Sequence, residues 1–195
     1  CTDLEEVIFE GTIDKISGSV FNGCTALKTV TGMEDVTYIG VSAFKNTAIT
    51  SLKFNKAVTF GTNAFENCDS LTSVEFAETQ KELSASLFYS CNNLSEINLP
   101  DSITTLGLNC LNGIAFNAET IKLPKNLVTI GNGAFWGFEG TFEMDDDAKN
   151  FKVVDGVLFS KNGSILYLVP QGKEGALDLS DVTEIKSYAF AFADK

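Results

Sequence analysis

A β-rich repeat solenoid with short helical turns, carrying an inserted β-meander, is the fold this sequence predicts. Three observations predict it. A frame of about 23 residues recurs along most of the chain. Each unit closes on a small residue followed by a large apolar one. Between Phe138 and Ala176 the frame gives way to a run rich in hairpin signals. A unit this short cannot bury its apolar edge alone, so stacking on neighbours makes one continuous core.

The units follow in order. Cys1-Thr-Asp-Leu4-Glu-Glu-Val7 fits the opening frame, as do Cys24-Thr-Ala-Leu27-Lys-Thr-Val30 and Cys68-Asp-Ser-Leu71-Thr-Ser-Val74-Glu-Phe76. Cys91-Asn-Asn-Leu94-Ser-Glu-Ile97-Asn-Leu99 is the fullest copy. The closing pairs are Val20-Phe21, Ala43-Phe44, Ala64-Phe65, Leu87-Phe88, Cys110-Leu111, Ala134-Phe135 and Ala189-Phe190. Successive closing residues lie 23, 21, 23, 23, 24 and 55 apart, so the last gap holds an insertion. Such a coil has room for a strand, a turn, a second extended piece and one short helical turn.

Smaller signals repeat within the frame. Gly40, Gly61, Gly107 and Gly131 each precede a closing residue by four, which marks a bend that a side chain would obstruct. Pro100 and Pro124 follow the last apolar residue of the strand, where no ladder donor is needed. Six of the 16 phenylalanines fall at closing positions and are expected to stack along the core. In the insert, Asp155-Gly156 and Asn162-Gly163 are hairpin signals between apolar runs. Leu177 through Phe190 then reads as a final repeat.

The unit L-x-x-I-x-L-P-x-x-(I/L)-x-x-(I/L)-G-x-x-A-F-x-x-C resembles the BspA-type leucine-rich repeat, with residues 94–111 and 118–135 fitting best. Residues 77–82 lack the Pro, the unit at 83–88 lacks the Ile-Gly pair, Cys110-Leu111 replaces Ala-Phe, and the unit at 49–65 is short. The resemblance implies a leucine-rich-repeat right-handed coil. It divides the chain into repeats over 1–138, a β-hairpin or meander island over 139–175, and a last repeat of the same array over 176–195. A D-G-V-L-F-S-K-(D/N)-G segment like the one at 155–163 is found between repeats in BspA-like proteins. Cys1 holds the repeat register, so it reads as the closing Cys of an upstream unit, with a lipid-modified N-terminal Cys as the alternative; the chain is expected to be an excerpt of a longer protein.

Composition excludes several functions. The net charge is −12, which repels nucleic acid and anionic membrane surfaces. No apolar run approaches the roughly 20 residues that cross a bilayer. There is no histidine and no arginine, which removes the usual general base, the commonest metal ligand and the bidentate phosphate clamp. No G-x-S-x-G or phosphate-cradling loop occurs. No enzymatic activity and no cofactor are expected.

Two residue clusters invite chemistry. Cys1, Cys24, Cys68 and Cys91 share a frame position with Thr47. They read as small buried residues filling a column. Coils about 4.8 Å apart also leave Cys1–Cys24 and Cys68–Cys91 within disulfide reach. Zinc is disfavoured by the absence of His and of C-x-x-C. The acidic run Glu143-Met144-Asp145-Asp146-Asp147 lacks the calcium-loop pattern and reads as a solvated turn before the island.

What remains is a broad polar face between the inward strand residues. It comprises Lys28, Thr29, Thr31, Thr50, Ser51, Lys53, Thr72, Ser73, Glu75, Ser95, Glu96, Asn98, Glu119, Thr120 and Lys122. Solenoids bind proteins on such faces. Trp136 with Phe138 is expected to pack under the island, or, if exposed, to be a contact hot spot. The resemblance implies a secreted or cell-surface protein of bacteria or some protists. It implies adhesion to partner proteins, extracellular-matrix proteins such as fibronectin or fibrinogen included. The alternative is a structural stalk presenting another domain.

Overall fold

The computed structural model describes residues 1–114 and 120–190. Its short strands run in chain order as β1 (Glu6–Ile8), β2 (Lys15–Ile16), β3 (Thr29–Thr31), β4 (Tyr38–Ile39), β5 (Ser51–Lys53) and β6 (Thr59–Phe60). Then come β7 (Ser73–Glu75), β8 (Glu82–Leu83), β9 (Glu96–Ile97), β10 (Thr105–Leu106), β11 (Thr120–Lys122) and β12 (Thr129–Ile130). β13 (Thr141–Glu143), β14 (Phe151–Val154), β15 (Val157–Ser160), β16 (Ile165–Leu168) and β17 (Glu184–Ile185) complete the series. They wind a β-solenoid of about eight turns.

Two parallel ladders line separate sides of the coil. The first pairs β1–β3, β5–β7–β9 and β11–β13. Its central residues Leu52, Val74 and Ile121 are buried, while their neighbours Lys53, Glu75 and Lys122 face outward. That is the two-residue period of a strand written by a polar–apolar–polar triplet. The second ladder pairs β2–β4–β6 and β8–β10–β12.

The recurring glycines set the coil spacing in the second ladder. A Cβ on Gly40 would lie 2.4 Å from the Gly18 nitrogen, and one on Gly131 2.4 Å from the Leu108 nitrogen. Both are backbone atoms of the preceding turn, so a side chain would hold the coils apart. With glycine, Gly40 N–H donates to Ile16 O and Gly131 N–H to Leu106 O, each at 2.8 Å. The unit at 83–88 carries Ser84 at this position, and here the ladder breaks between β6 and β8. Side chains bridge the break: Ser84 Oγ donates to Gly61 O at 3.0 Å, and the Gln80 amide engages Val58.

The closing segment corrects one expectation, because the short helical turns do not form. No helix occurs among the described residues. Instead, residues two before and two after each closing residue from Phe21 to Phe135 hold positive φ, as does Tyr188 before Phe190. They include Ser42 (54°) and Asn46 (59°) around Phe44, and Asn63 (62°) and Asn67 (57°) around Phe65. Left-handed residues at this interval prevent a helix, and Ser, Asn and Gly occupy nearly all of them. The main chain then bonds to the next coil. Phe44 N–H donates to Ala64 O at 2.8 Å and Phe65 N–H to Leu87 O at 3.0 Å.

The phenylalanine ladder forms as expected over four turns. Phe21, Phe44, Phe65 and Phe88 stack with successive centroids 5.0, 5.2 and 5.6 Å apart. Leu111 ends the stack but remains buried in the same column. Each large ring contributes on the order of 2–3 kcal/mol of burial relative to exposure.

The first ladder continues through β13 before the antiparallel unit begins at Phe151. β14, β15 and β16 form a meander with turns at Asp155-Gly156 and Asn162-Gly163, both glycines at positive φ. β16 then pairs in parallel with β17, so the last repeat stacks on the meander rather than on β12. Phe138 is buried against Phe142 at 5.0 Å. Trp136 is half-buried and stacks on Tyr188 of the final repeat at 5.2 Å.

Candidate functional site

In-register pairing carries the strand pattern into columns on the outside of the first ladder. Glu6 faces Thr29, Ser51 faces Ser73, Ser73 faces Glu96, and Thr120 faces Thr141. The adjacent column pairs Ile8 with Thr31, Lys53 with Glu75 and Lys122 with Glu143. The sequence-predicted Lys28, Thr29, Thr31, Thr50, Ser51, Lys53, Thr72, Glu75, Glu96 and Lys122 are exposed there. Ser73, Ser95, Asn98 and Thr120 are half-buried. Glu119 lies outside the described residues.

Much of the charge is matched between neighbouring coils. Lys53 Nζ lies 3.0 Å from Glu75, Lys28 Nζ 3.6 Å from Glu5, and Lys122 Nζ 2.8 Å from Asp145. The hydrogen bond to Asp145, and then its charge, raises the Lys122 pKa. The same bond holds the Asp145 carboxyl below the usual carboxylate range. Two predicted residues spend polar atoms on the main chain. Phe76 N–H donates to Asn98 Oδ1 at 2.6 Å while Asn98 Nδ2 donates to Phe76 O at 3.0 Å. Thr72 Oγ1 donates to Thr50 O at 3.1 Å.

Where β9 and β11 do not pair, the face opens into a groove of about 460 Å³. Ser95, Glu96, Ile97, Asp101, Thr120 and Lys122 are among the residues lining it. This gives the face a concave feature beside β11.

Sequence reasoning missed the two ends of the face. Glu6 and Ile8 extend it before Thr29; Thr141 and Glu143 extend it past Lys122. Thr120 Oγ1 and Thr141 Oγ1 share a hydrogen bond at 2.9 Å. The available signal was the triplet Thr-Phe-Glu at 141–143, which repeats the pattern of Thr-Ile-Lys at 120–122. The acidic run is tied to the preceding coil: Asp147 pairs with Lys125 at 3.2 Å, between the same two coils as the Lys122–Asp145 pair.

Apart from Cys1, which is exposed rather than buried as expected, the cysteine column lies inside the coil. All five cysteines are free thiols, with Cys24, Cys68, Cys91 and Cys110 buried. Cys68 Sγ donates to Phe44 O at 3.1 Å and Cys91 Sγ to Phe65 O at 3.0 Å. Thr47 Oγ1 takes the slot between Cys24 and Cys68, 3.3 Å from Cys68 Sγ. A hydrogen bond from Cys91 lowers the Cys68 pKa, while burial pushes Cys91 well up and Cys110 to about 12. A protonated, buried thiol is a packing group rather than a nucleophile. Among the described residues no cluster of His, Cys, Asp or Glu is arranged to hold a metal ion. Among them no helix is long and apolar enough to cross a membrane.

Six copies of the BspA-type leucine-rich repeat region match residues 1–69 and 59–168. No curated protein matches the chain. Among solved structures, a leucine-rich repeat protein from Eubacterium ventriosum aligns over 97% of this chain and 45% of its own, at 23% identity and a TM-score of 0.62. The pneumococcal vaccine antigen PcpA aligns over 95% of this chain and 42% of its own, at 23% identity and a TM-score of 0.56. A leucine-rich cell surface protein from Faecalibacterium prausnitzii aligns over 96% and 61%, at 19% identity and a TM-score of 0.55. This chain thus spans less than two thirds of each of these proteins.

Proposed function

Since this chain belongs to the BspA-type leucine-rich repeat family, we propose that it is a non-enzymatic protein-interaction module at the cell surface, an adhesin-type binder. The observation that carries this reading is the outer face of the first ladder. Its side chains are polar, mostly short and held in register on a rigid coil, so docking orders few of them. The charged residues supply specificity and steering rather than bulk affinity. With a net charge of −12, the chain favours partners with a basic patch. The names of the pneumococcal vaccine antigen and the Faecalibacterium cell surface protein support a surface location. We take residues 1–138 and 176–195 as one array and 139–175 as the segment that carries the island, with β13 still on the first ladder.

Beads coated with the chain test the proposal on films of extracellular-matrix proteins, fibronectin and fibrinogen among them. Adhesion is expected, and reversing Lys53, Glu75 and Glu96 together is expected to abolish it while the melting transition stays in place. Equal adhesion by the reversed variant would move the site off this face. Absence of adhesion by the folded chain to every film would favour the stalk.

A further inference from the structure

We propose that Asn162 is an acceptor site for an N-linked oligosaccharide. The sequence contains two Asn-x-Ser/Thr acceptor motifs, Asn93-Leu94-Ser95 and Asn162-Gly163-Ser164. The fold treats them differently.

Asn162 is exposed on the turn between β15 and β16. Its Oδ1 accepts from Ser164 N–H at 3.1 Å, Ser164 Oγ at 2.9 Å and Ser160 Oγ at 2.8 Å. All of these bonds fall on the oxygen. The Nδ2, the atom that would carry the sugar, donates to no described residue. The Ser164 hydroxyl already contacts the acceptor amide. Gly163, at φ 83°, makes the sharp turn that brings it there. This geometry is local to five residues, and a bulky group at a hairpin tip disturbs no ladder.

Asn93 offers the opposite arrangement. Its Nδ2 donates to Asp69 O at 2.7 Å, against the preceding coil. Leu94 beside it is fully buried, and Ser95 N–H is committed to Thr72 O at 3.1 Å. The acceptor nitrogen is therefore part of the inter-coil contact.

The transfer takes its sugar from a polyprenyl-pyrophosphate-linked oligosaccharide. Asn162 Nδ2 bonds to the anomeric carbon, and the bond from that carbon to the pyrophosphate oxygen breaks. The pyrophosphate leaves with the electron pair, and the amide proton passes to a base of the transferase. In the native host the reaction rests on the surface reading above, because the chain must enter the secretory route.

The test supplies that route. The full chain is secreted from a eukaryotic host behind an added signal peptide, its fold is checked by a cooperative melt, and its glycans are removed by peptide-N-glycosidase in heavy-oxygen water. Peptide mass spectrometry is expected to find the label at residue 162 and not at residue 93. Ser164→Ala is expected to remove the label, and Ser164→Thr to retain it. A folded, secreted chain unlabelled at residue 162, or labelled at residue 93 instead, would overturn the proposal. Because the signal peptide is supplied, the outcome does not depend on where the native protein resides.

Discussion

The side chain of Gln80 completes the main chain of Val58 across one coil. Val58 N–H donates to Gln80 Oε1 at 2.8 Å, and Gln80 Nε2 donates back to Val58 O at 2.9 Å. A glutamine thus stands in for the strand pair missing between β6 and β8. Both residues are buried, so these bonds have no solvent to replace them. Gln80→Ala leaves two buried main-chain groups without their partner. It is expected to lower stability by about 2–4 kcal/mol in urea unfolding. Gln80→Glu is expected not to rescue it, since the donor becomes an oxygen facing Val58 O. An unchanged unfolding midpoint for Gln80→Ala would refute this account of the break.

The glycine column makes a second prediction with a built-in control. A Cβ on Gly107 would lie 2.6 Å from the nitrogen of Ala85 and 2.6 Å from the carbonyl carbon of Ser84. Gly107→Ala therefore forces two coils apart and is expected to cost about 3 kcal/mol. Gly11 has no atom within 4 Å of its would-be Cβ, and its φ is not positive. Gly11→Ala is expected to be neutral or slightly stabilising. Equal losses at both sites would show that coil spacing is not what the column controls.

Phe65 lies in the middle of the ring stack, 5.2 Å from Phe44 and 5.6 Å from Phe88. Phe65→Ala is expected to cost about 3–5 kcal/mol through lost transfer energy and a residual cavity. Leu111 shows that leucine fits the same column, so Phe65→Leu is expected to cost about 1–1.5 kcal/mol. Thermal or denaturant melts of the two variants check the ranking.

Cys110 predicts a loss of stability in alkali. Its thiol titrates at 9.0 when unfolded and at about 12 in the fold, because burial penalises the thiolate. Between these values the folded chain holds the extra proton. Stability is therefore intact below pH 9.0 and falls as pH rises toward 12, with a limit of about 4 kcal/mol. Cys91 acts in the same direction. The difference between the wild-type chain and Cys110→Ala, followed by denaturant unfolding across that range, isolates Cys110. Parallel pH profiles for the two would contradict the assignment.

The repeat made most of this fold legible. Inward residues such as Leu94, Ile97 and Leu99 recur at fixed spacing, and Asp155-Gly156 and Asn162-Gly163 announce the meander by local turn chemistry. The frame predicts a short helical turn in the closing segment, although Ser, Asn and Gly flank every closing position from Phe21 to Phe135, as at Ser86 and Ser90 around Phe88. That pattern was present in the sequence and marks left-handed residues. Other contacts have no local signal. The Trp136–Tyr188 stack and the β16–β17 pairing depend on where the island sends the chain. Strand alternation likewise exposed the outward residues of the candidate face, while Asn98 gave no sign that its amide would turn to Phe76.

The measurement that tests the central claim most directly is binding of the folded chain to immobilised fibronectin and fibrinogen at low and high salt. The account predicts saturable binding that weakens as salt rises. It also predicts loss of binding when Lys53→Glu, Glu75→Lys and Glu96→Lys are combined, with the melting transition unmoved because the Lys53–Glu75 pair is exposed. Binding that ignores salt and survives the combined reversal would contradict a polar strand face as the site of recognition.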